Sequence, residues 1–252
     1  MGEHGRTWAN ICDSLCFVCI DNAPMTFEAV LFDCDGVLVD SESITCGVLR
    51  DMFEELGWRM SLQECMTHFM GHTVRTRKDL IEANTGVPFT EEWLQTFYAR
   101  RNVRLENEIQ AIADVHHALQ FVRQHWGEQM ACASGADRFK INLMLKKVGL
   151  FDFFEGRIFS GHEVPNSKPY PDVYLAAAAF LNKAPERCLA IEDTPTGVLA
   201  GVAAGAEVWG YAEHGQGDVL RDAGATHVFT RMSELPQLLA ARNHLPPSPT
   251  KA

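Results

Sequence analysis

No stretch of the 252-residue sequence approaches the ~20 consecutive apolar residues that span a bilayer, which excludes a helical membrane anchor. Basic residues are scarce. There are 22 Lys and Arg against 33 Asp and Glu, a formal net charge of -11. Nucleic-acid binding needs a basic face, so that partner class is excluded too. There is no internal repeat, and low complexity is confined to a Pro-rich end, "HLPPSPTKA", which reads as a frayed tail. Cysteine is present without forming a disulfide framework. Cys12, Cys16, Cys19, Cys34, Cys46, Cys65, Cys132 and Cys188 are the eight, and several lie inside apolar runs such as Met130-Ala131-Cys132-Ala133. There they read as small buried hydrophobes in a reducing cytoplasm. Cys12, Cys16 and Cys19 lack a matching second ligand pair, so zinc is not assigned to them.

What is present is an ordinary globular composition, 46% hydrophobic and 22% charged. The length fits one domain of ordinary size plus a smaller one. Residues 1–26 read as a weakly ordered extension, and the fold starts near Phe27. Short runs, apolar on both faces, predict buried parallel strands at Ala29–Phe32, Gln129–Ala133, Arg157–Ser160, Cys188–Ile191, Glu207–Tyr211 and His227–Phe229. Helical patterns fall between them: Val115, Leu119, Val122 and Trp126 form one stripe, and 142–148 another, stopped by Gly149. Alternating strand and helix predicts a doubly wound α/β sheet. From Ser43 to Ile112 the pattern is helical without a convincing strand. These about 70 residues are too many for a loop, and predict an inserted all-helical domain over 43–112. The core then comprises 27–42 and 113–242, with a tail over 243–252.

In an open parallel sheet, ligands bind beyond the carboxyl ends of the strands. There the first strand ends in Asp33 and Asp35, the second in Ser134-Gly135 and the fourth in Glu192-Asp193, while the segment after the third holds Lys168. Converging carboxylates repel unless a cation joins them, and hard oxygen ligands select Mg²⁺, which commonly also holds a phosphate. Lys168, Ser134 and the amides near Gly135 suit phosphate oxygens. A carboxylate can attack phosphorus, and a neighbouring acid can protonate the leaving alkoxide and then activate water. Asp33 and Asp35 are two apart on an extended chain and can face the same way.

Blander readings are available for each residue alone. A Ca²⁺ loop counted from Asp33 needs Glu at its twelfth position, which is Ile44. A G-x-S-x-G elbow at Ser134 fails because position 132 is Cys. Ser134 could serve as a helix N-cap. Arg75, Arg77 and Lys78 read as a solvated helix face, with Arg75 kept as a substrate-binding candidate. Arg100, Arg101 and Arg104 read as charge on a helix, and His116 and His117 as solvent-facing.

"FDCDGVLVDSE" resembles the first motif of the haloacid dehalogenase (HAD) superfamily. Ser134 is similar to its second motif, Lys168 in "SKPYPD" to its third and "IEDTPTG" to its fourth, in the right order over roughly 27–240. The resemblance implies a Rossmann-like HAD core whose helical insert is the cap that closes over the site. It implies Asp33 as nucleophile and Mg²⁺ ligand, and Asp35 as general acid/base lending the metal its backbone carbonyl. Glu192 and Asp193 are then the remaining metal ligands, and Ser134, Gly135 and Lys168 the phosphate binders. The subgroup it resembles is that of sugar-phosphate phosphatases and β-phosphoglucomutases. The mutases carry His twelve residues after the nucleophile, where this sequence has Thr45. The expectation is therefore a Mg²⁺-dependent phosphatase of a small phosphorylated metabolite, a sugar phosphate or a sugar acid such as 6-phosphogluconate, acting as monomer or weak homodimer. A mutase, or a non-catalytic phosphometabolite-binding protein, is the alternative.

Overall fold

The computed structural model describes residues 27–245 except Gly71 and His214; the expected N-terminal extension and most of the tail lie outside the described residues. In chain order the elements are β1 (Ala29–Phe32), β2 (Val39–Asp40), α1 (Glu42–Glu55), α2 (Leu62–Phe69), α3 (Lys78–Thr85), α4 (Glu91–Glu108), β3 (Gln110–Ala111) and α5 (Val115–Trp126). They continue with β4 (Met130–Ser134), α6 (Arg138–Lys147), α7 (Phe151–Phe154), β5 (Ile158–Ser160), α8 (Asp172–Phe180) and β6 (Cys188–Glu192). The chain ends with α9 (Pro195–Ala204), β7 (Glu207–Tyr211), α10 (Gly217–Asp222), β8 (His227–Phe229) and α11 (Leu235–Arg242). None of these helices is long and apolar enough to cross a membrane.

The six main strands form one sheet in the order β5-β4-β1-β6-β7-β8, every pair parallel. Successive strand side chains point to opposite faces, and the packing follows that rule. Val30, Phe32, Met130, Cys132, Leu189 and Ile191 enter one core with Leu119, Val122 and Phe154. Ala29, Leu31, Ala131, Ala133 and Ala190 enter the other, against Val173, Tyr174 and Ala177 of α8 and Val198 and Ala200 of α9. The second face is built from small residues, so α8 and α9 lie close against it.

Helices α1–α4 form the cap, with its own core of Leu49, Met52, Phe53, Phe69, Leu94 and Phe97. Phe53 is its centre, with ring centroids 4.9 Å from Trp58, 5.1 Å from Phe69 and 5.7 Å from Trp93. The cap is helical as expected, with one addition at its edge. The span 43–112 does contain a strand, β3, which pairs antiparallel with β2 through Val39–Ala111 and Asp40–Gln110. The pairing is two residues long, too short to leave a periodicity in the sequence, and it exists only because the cap brings its two ends together. Both crossings into the cap therefore run side by side.

Candidate active site

Three neighbouring strands, β4, β1 and β6, deliver the polar residues to one edge. Asp33 follows β1 directly, its N–H donating to Ile191 O at 3.0 Å. The chain then turns back at Gly36, whose φ is +77° and whose N–H donates to Val39 O at 2.8 Å. Two causes favour glycine here. A positive φ disfavours any Cβ, and a Cβ at this point would lie 2.0 Å from Asp193 Oδ2. The Asp193 carboxylate is thus laid against bare backbone.

Lys168 Nζ donates to Asp33 Oδ1 at 2.6 Å and to Glu192 Oε1 at 2.5 Å, and it sits 4.8 Å over the Tyr174 ring. Glu192 is fully buried. Its Oε1 also accepts from Tyr174 OH at 2.6 Å, and its Oε2 accepts from the Asp193 N–H at 3.2 Å. Gly197, in the first turn of α9, makes room for that carboxylate: a Cβ there would lie 1.9 Å from Glu192 Oε1. Thr194 caps α9, its side chain accepting from Gly197 N at 3.1 Å. Ser134 ends β4 and its Oγ accepts from Ala136 N at 3.1 Å. It does not cap α6; Asp137 does, accepting from Lys140 N at 2.8 Å.

Burial is the main force on Asp33, and repulsion from Glu192 and Asp35 adds to it; against the pull of Lys168, the carboxyl is pushed up to about 7. Burial, then Asp33, Glu192 and Glu42, drive Asp193 well above the carboxylate range. Lys168 goes the other way. Burial opposes its charge, but Asp33 and Glu192 outweigh that and raise its pKa well above the usual value. Asp35 resists its own burial because Lys140, Ser41 and Arg101 hold its pKa down.

Asp33, Glu192 and Asp193 offer carboxylate oxygens all within 4.8 Å of one another. Asp193 Oδ1 is buried with no hydrogen-bond partner. An orphaned carboxylate oxygen among like charges fits a hard divalent cation such as Mg²⁺. The oxygens of Glu192 are already engaged, so Asp33 and Asp193 are the freer donors.

Above these residues lies a cavity of about 190 Å³. Asp33, Asp35, Ser134, Gly135 and Lys168 line it from the core; Glu42, Thr45, His72, Thr73, Tyr98 and Arg101 line it from the cap. Arg75 is not brought to it: that side chain is exposed and bonds Glu91 at 2.8 Å. The cleft arginine is Arg101, buried on α4 with Nη2 3.1 Å from Asp137 Oδ2. The cleft also gains Lys140, a buried lysine of α6 whose Nζ is 2.5 Å from Asp35 Oδ1. Both signals are in the sequence. Arg101 falls in register with Leu94, Phe97 and Leu105, the buried face of α4. Lys140 stands three residues after Asp137, an N-cap residue that starts the helix at Arg138 and not at Asn142.

This sheet, cap and carboxylate–lysine cluster belong to a known class, and comparison with other proteins defines it. Residues 27–205 match the model of the haloacid dehalogenase-like hydrolases, and the chain belongs to that family. It is similar to 6-phosphogluconate phosphatase of Escherichia coli, 29% identical over 216 residues covering 85% of this chain and 96% of that protein. It is also similar to the phosphorylated carbohydrates phosphatase of Thermotoga maritima, 29% identical over 201 residues covering 79% and 92%. Among solved structures, a HAD family hydrolase from Deinococcus radiodurans with bound phosphate and sodium superposes with a TM-score of 0.75, 32% identity, and coverage of 89% of this chain and 100% of that one.

Proposed function

We propose that the protein is a Mg²⁺-dependent phosphoric monoester hydrolase of a phosphorylated sugar or sugar acid, working through an aspartyl-phosphate on Asp33. The observation that carries this is the convergence of Asp33, Lys168, Glu192 and Asp193 at the ends of adjacent strands, with one carboxylate oxygen orphaned. Asp33 and Asp193, with the backbone carbonyl of Asp35 and with Glu192 behind them, would hold Mg²⁺. Once bound, the ion would supply the positive charge that keeps Asp33 ionised and offsets the charge of the phosphoryl group.

Asp33 attacks phosphorus, and the P–O bond to the sugar breaks. Asp35, held ionised in the resting site by Lys140 and Ser41, takes up a proton from solvent as the anionic phosphoryl group enters beside it, and gives that proton to the departing alkoxide. Asp35 then takes a proton from water, whose oxygen attacks the phospho-aspartate; inorganic phosphate leaves and Asp33 is restored. Lys168, Ser134 and the amide of Gly135 hold the phosphoryl oxygens through both steps.

The substrate class rests on the upper half of the cavity. Thr45 Oγ1 is buried without a hydrogen-bond partner, and Thr73 and His72 line the same cavity from the cap, a set of side chains suited to hydroxyl groups. The two named relatives act on 6-phosphogluconate and phosphorylated carbohydrates. Thr45 offers no titratable group for passing a proton to a second sugar oxygen, which favours hydrolysis over mutase chemistry. The cysteines among the described residues are all unpaired and buried, in keeping with a reducing cytoplasm. The test is phosphate release from a panel of phosphorylated sugars, polyols and sugar acids. Asp33→Asn is expected to fold and to release none; turnover retained in that variant overturns the reading.

A further inference from the structure

A chain of polar contacts joins the cap to Asp35 without passing through the phosphate site. Arg101 Nη2 lies 3.1 Å from Asp137 Oδ2. Asp137 Oδ1 accepts from Lys140 N at 2.8 Å, on the first turn of α6. Lys140 Nζ reaches Asp35 Oδ1 at 2.5 Å, and Ser41 Oγ donates to that same oxygen. Ser41 stands where the chain enters the cap, between β2 and α1; Arg101 stands on the last cap helix before the chain returns through β3. The path starts and ends at the cap, and Asp35 lies in its middle.

A buried ammonium is costly unless paired, and Lys140 has only 8% of its surface exposed. Its head group is therefore committed to Asp35. Two donors on Oδ1 fix the rotation of the Asp35 carboxyl and leave Oδ2 as the oxygen that exchanges a proton. Without them no other side chain fixes that oxygen, because Asp35 stands at the start of the turn at Gly36 and only its backbone is held there. Arg101 is held in turn by the Tyr98 ring, 4.7 Å from its guanidinium carbon, so its bond to Asp137 requires α4 to be seated on the core.

The geometry points to Lys140 as a positioning residue for Asp35, and to the Arg101–Asp137 pair as the contact that makes this positioning depend on the seated cap. Lys140 bonds the side chain of Asp35 and none of the carboxylates of Asp33, Glu192 and Asp193; it acts by aiming the acid. This inference rests on the proposed role of Asp35, and its test separates the two. Leaving groups differ in their need for a proton: p-nitrophenolate departs unaided, whereas phenolate is helped by an acid. The measurement is kcat/KM for p-nitrophenyl phosphate and phenyl phosphate, which reports the step that releases the phenol.

Lys140→Gln is expected to lose less than about three-fold on p-nitrophenyl phosphate and about thirty-fold on phenyl phosphate, a fraction of the ~10²–10⁴ that a general acid supplies. Lys140→Arg is expected to recover most of the phenyl phosphate rate. Arg101→Gln and Asp137→Asn are expected to show the same imbalance in weaker form. Equal losses on both substrates in Lys140→Gln, with circular dichroism unchanged, overturn the positioning role. An unchanged ratio in Arg101→Gln and Asp137→Asn overturns the dependence on the cap. Should Lys140→Gln fail to fold, an unchanged substrate ratio in Lys140→Arg and Arg101→Gln together overturns the inference. Turnover surviving in Asp33→Asn overturns the underlying mechanism instead, whatever the ratio.

Discussion

Glu42 shows how much a single carboxyl at the cleft wall feels its surroundings. Burial first, then Asp35 and Asp40, push it up to about 7, with Lys140 pulling the other way. A raised carboxyl holds its proton in the folded state while the unfolded chain, at about 4.5, has released it. Its stabilising protonation is present below about 4.5 and is lost as pH rises through about 7. Glu42→Gln is therefore expected to flatten the fall in melting temperature between pH 5 and 8 and to raise that temperature by ~2–4 °C at pH 8. A steeper fall in the variant contradicts this. Gly36→Ala meets both a positive φ and the Asp193 carboxylate, and is expected to cost at least about 2 kcal/mol, a drop of ~4–8 °C in a thermal melt. At this scale the sequence is legible wherever a residue's type restricts its use. Asp33, Ser134, Lys168 and Asp193 stand out because strand ends seldom carry such groups together. Arg101 and Lys140 are harder to see, since arginine and lysine on a helix usually face water. Only their register with Leu94, Phe97 and Leu105, or with the Asp137 cap, marks them as turned inward.

Elements with a strong local signature are the readable ones. The central strands β1, β4 and β6 are runs of residues buried on both faces and bounded by polar or Gly residues, so their places are set by composition over four or five positions. The β2–β3 ribbon has no such signature, because its pairing depends on the fold of 70 intervening residues, roughly, and not on its own side chains. The start of α9 gives an element-scale prediction. Thr194 caps the helix and Gly197 yields space to Glu192, which in turn holds Lys168. Gly197→Ala has no backbone penalty from φ, yet its Cβ collides with the carboxylate. The expected result is a loss of roughly 10²-fold in kcat, from displacement of Lys168, with a smaller change in KM. A loss seen only in KM argues that Glu192 does not place the lysine.

For the molecule as a whole, the acidic cluster sets a balance between folding and metal. Without a cation, Asp33, Glu192 and Asp193 oppose one another inside the core. A ligand that binds only the folded state stabilises it by mass action, about 2.7 kcal/mol at a hundred times Kd. Mg²⁺ is expected to raise the melting temperature by ~5–10 °C, EDTA to reverse the gain and remove turnover, and Asp193→Asn to cut the shift by at least half. A melt indifferent to Mg²⁺ across a wide concentration range contradicts the metal assignment.

The antiparallel ribbon at Val39–Ala111 and Asp40–Gln110 brings the two ends of the cap together at one doorway of the core. A segment whose ends already meet can be exchanged like a cassette. Splicing in a foreign one with equally close ends leaves all six parallel strands in register. Choice of guest and breaking of the bond are therefore largely separable inheritances in this architecture, and a chimera should take the first from its donor and keep the second in full only where the donor also supplies an arginine at the place of Arg101.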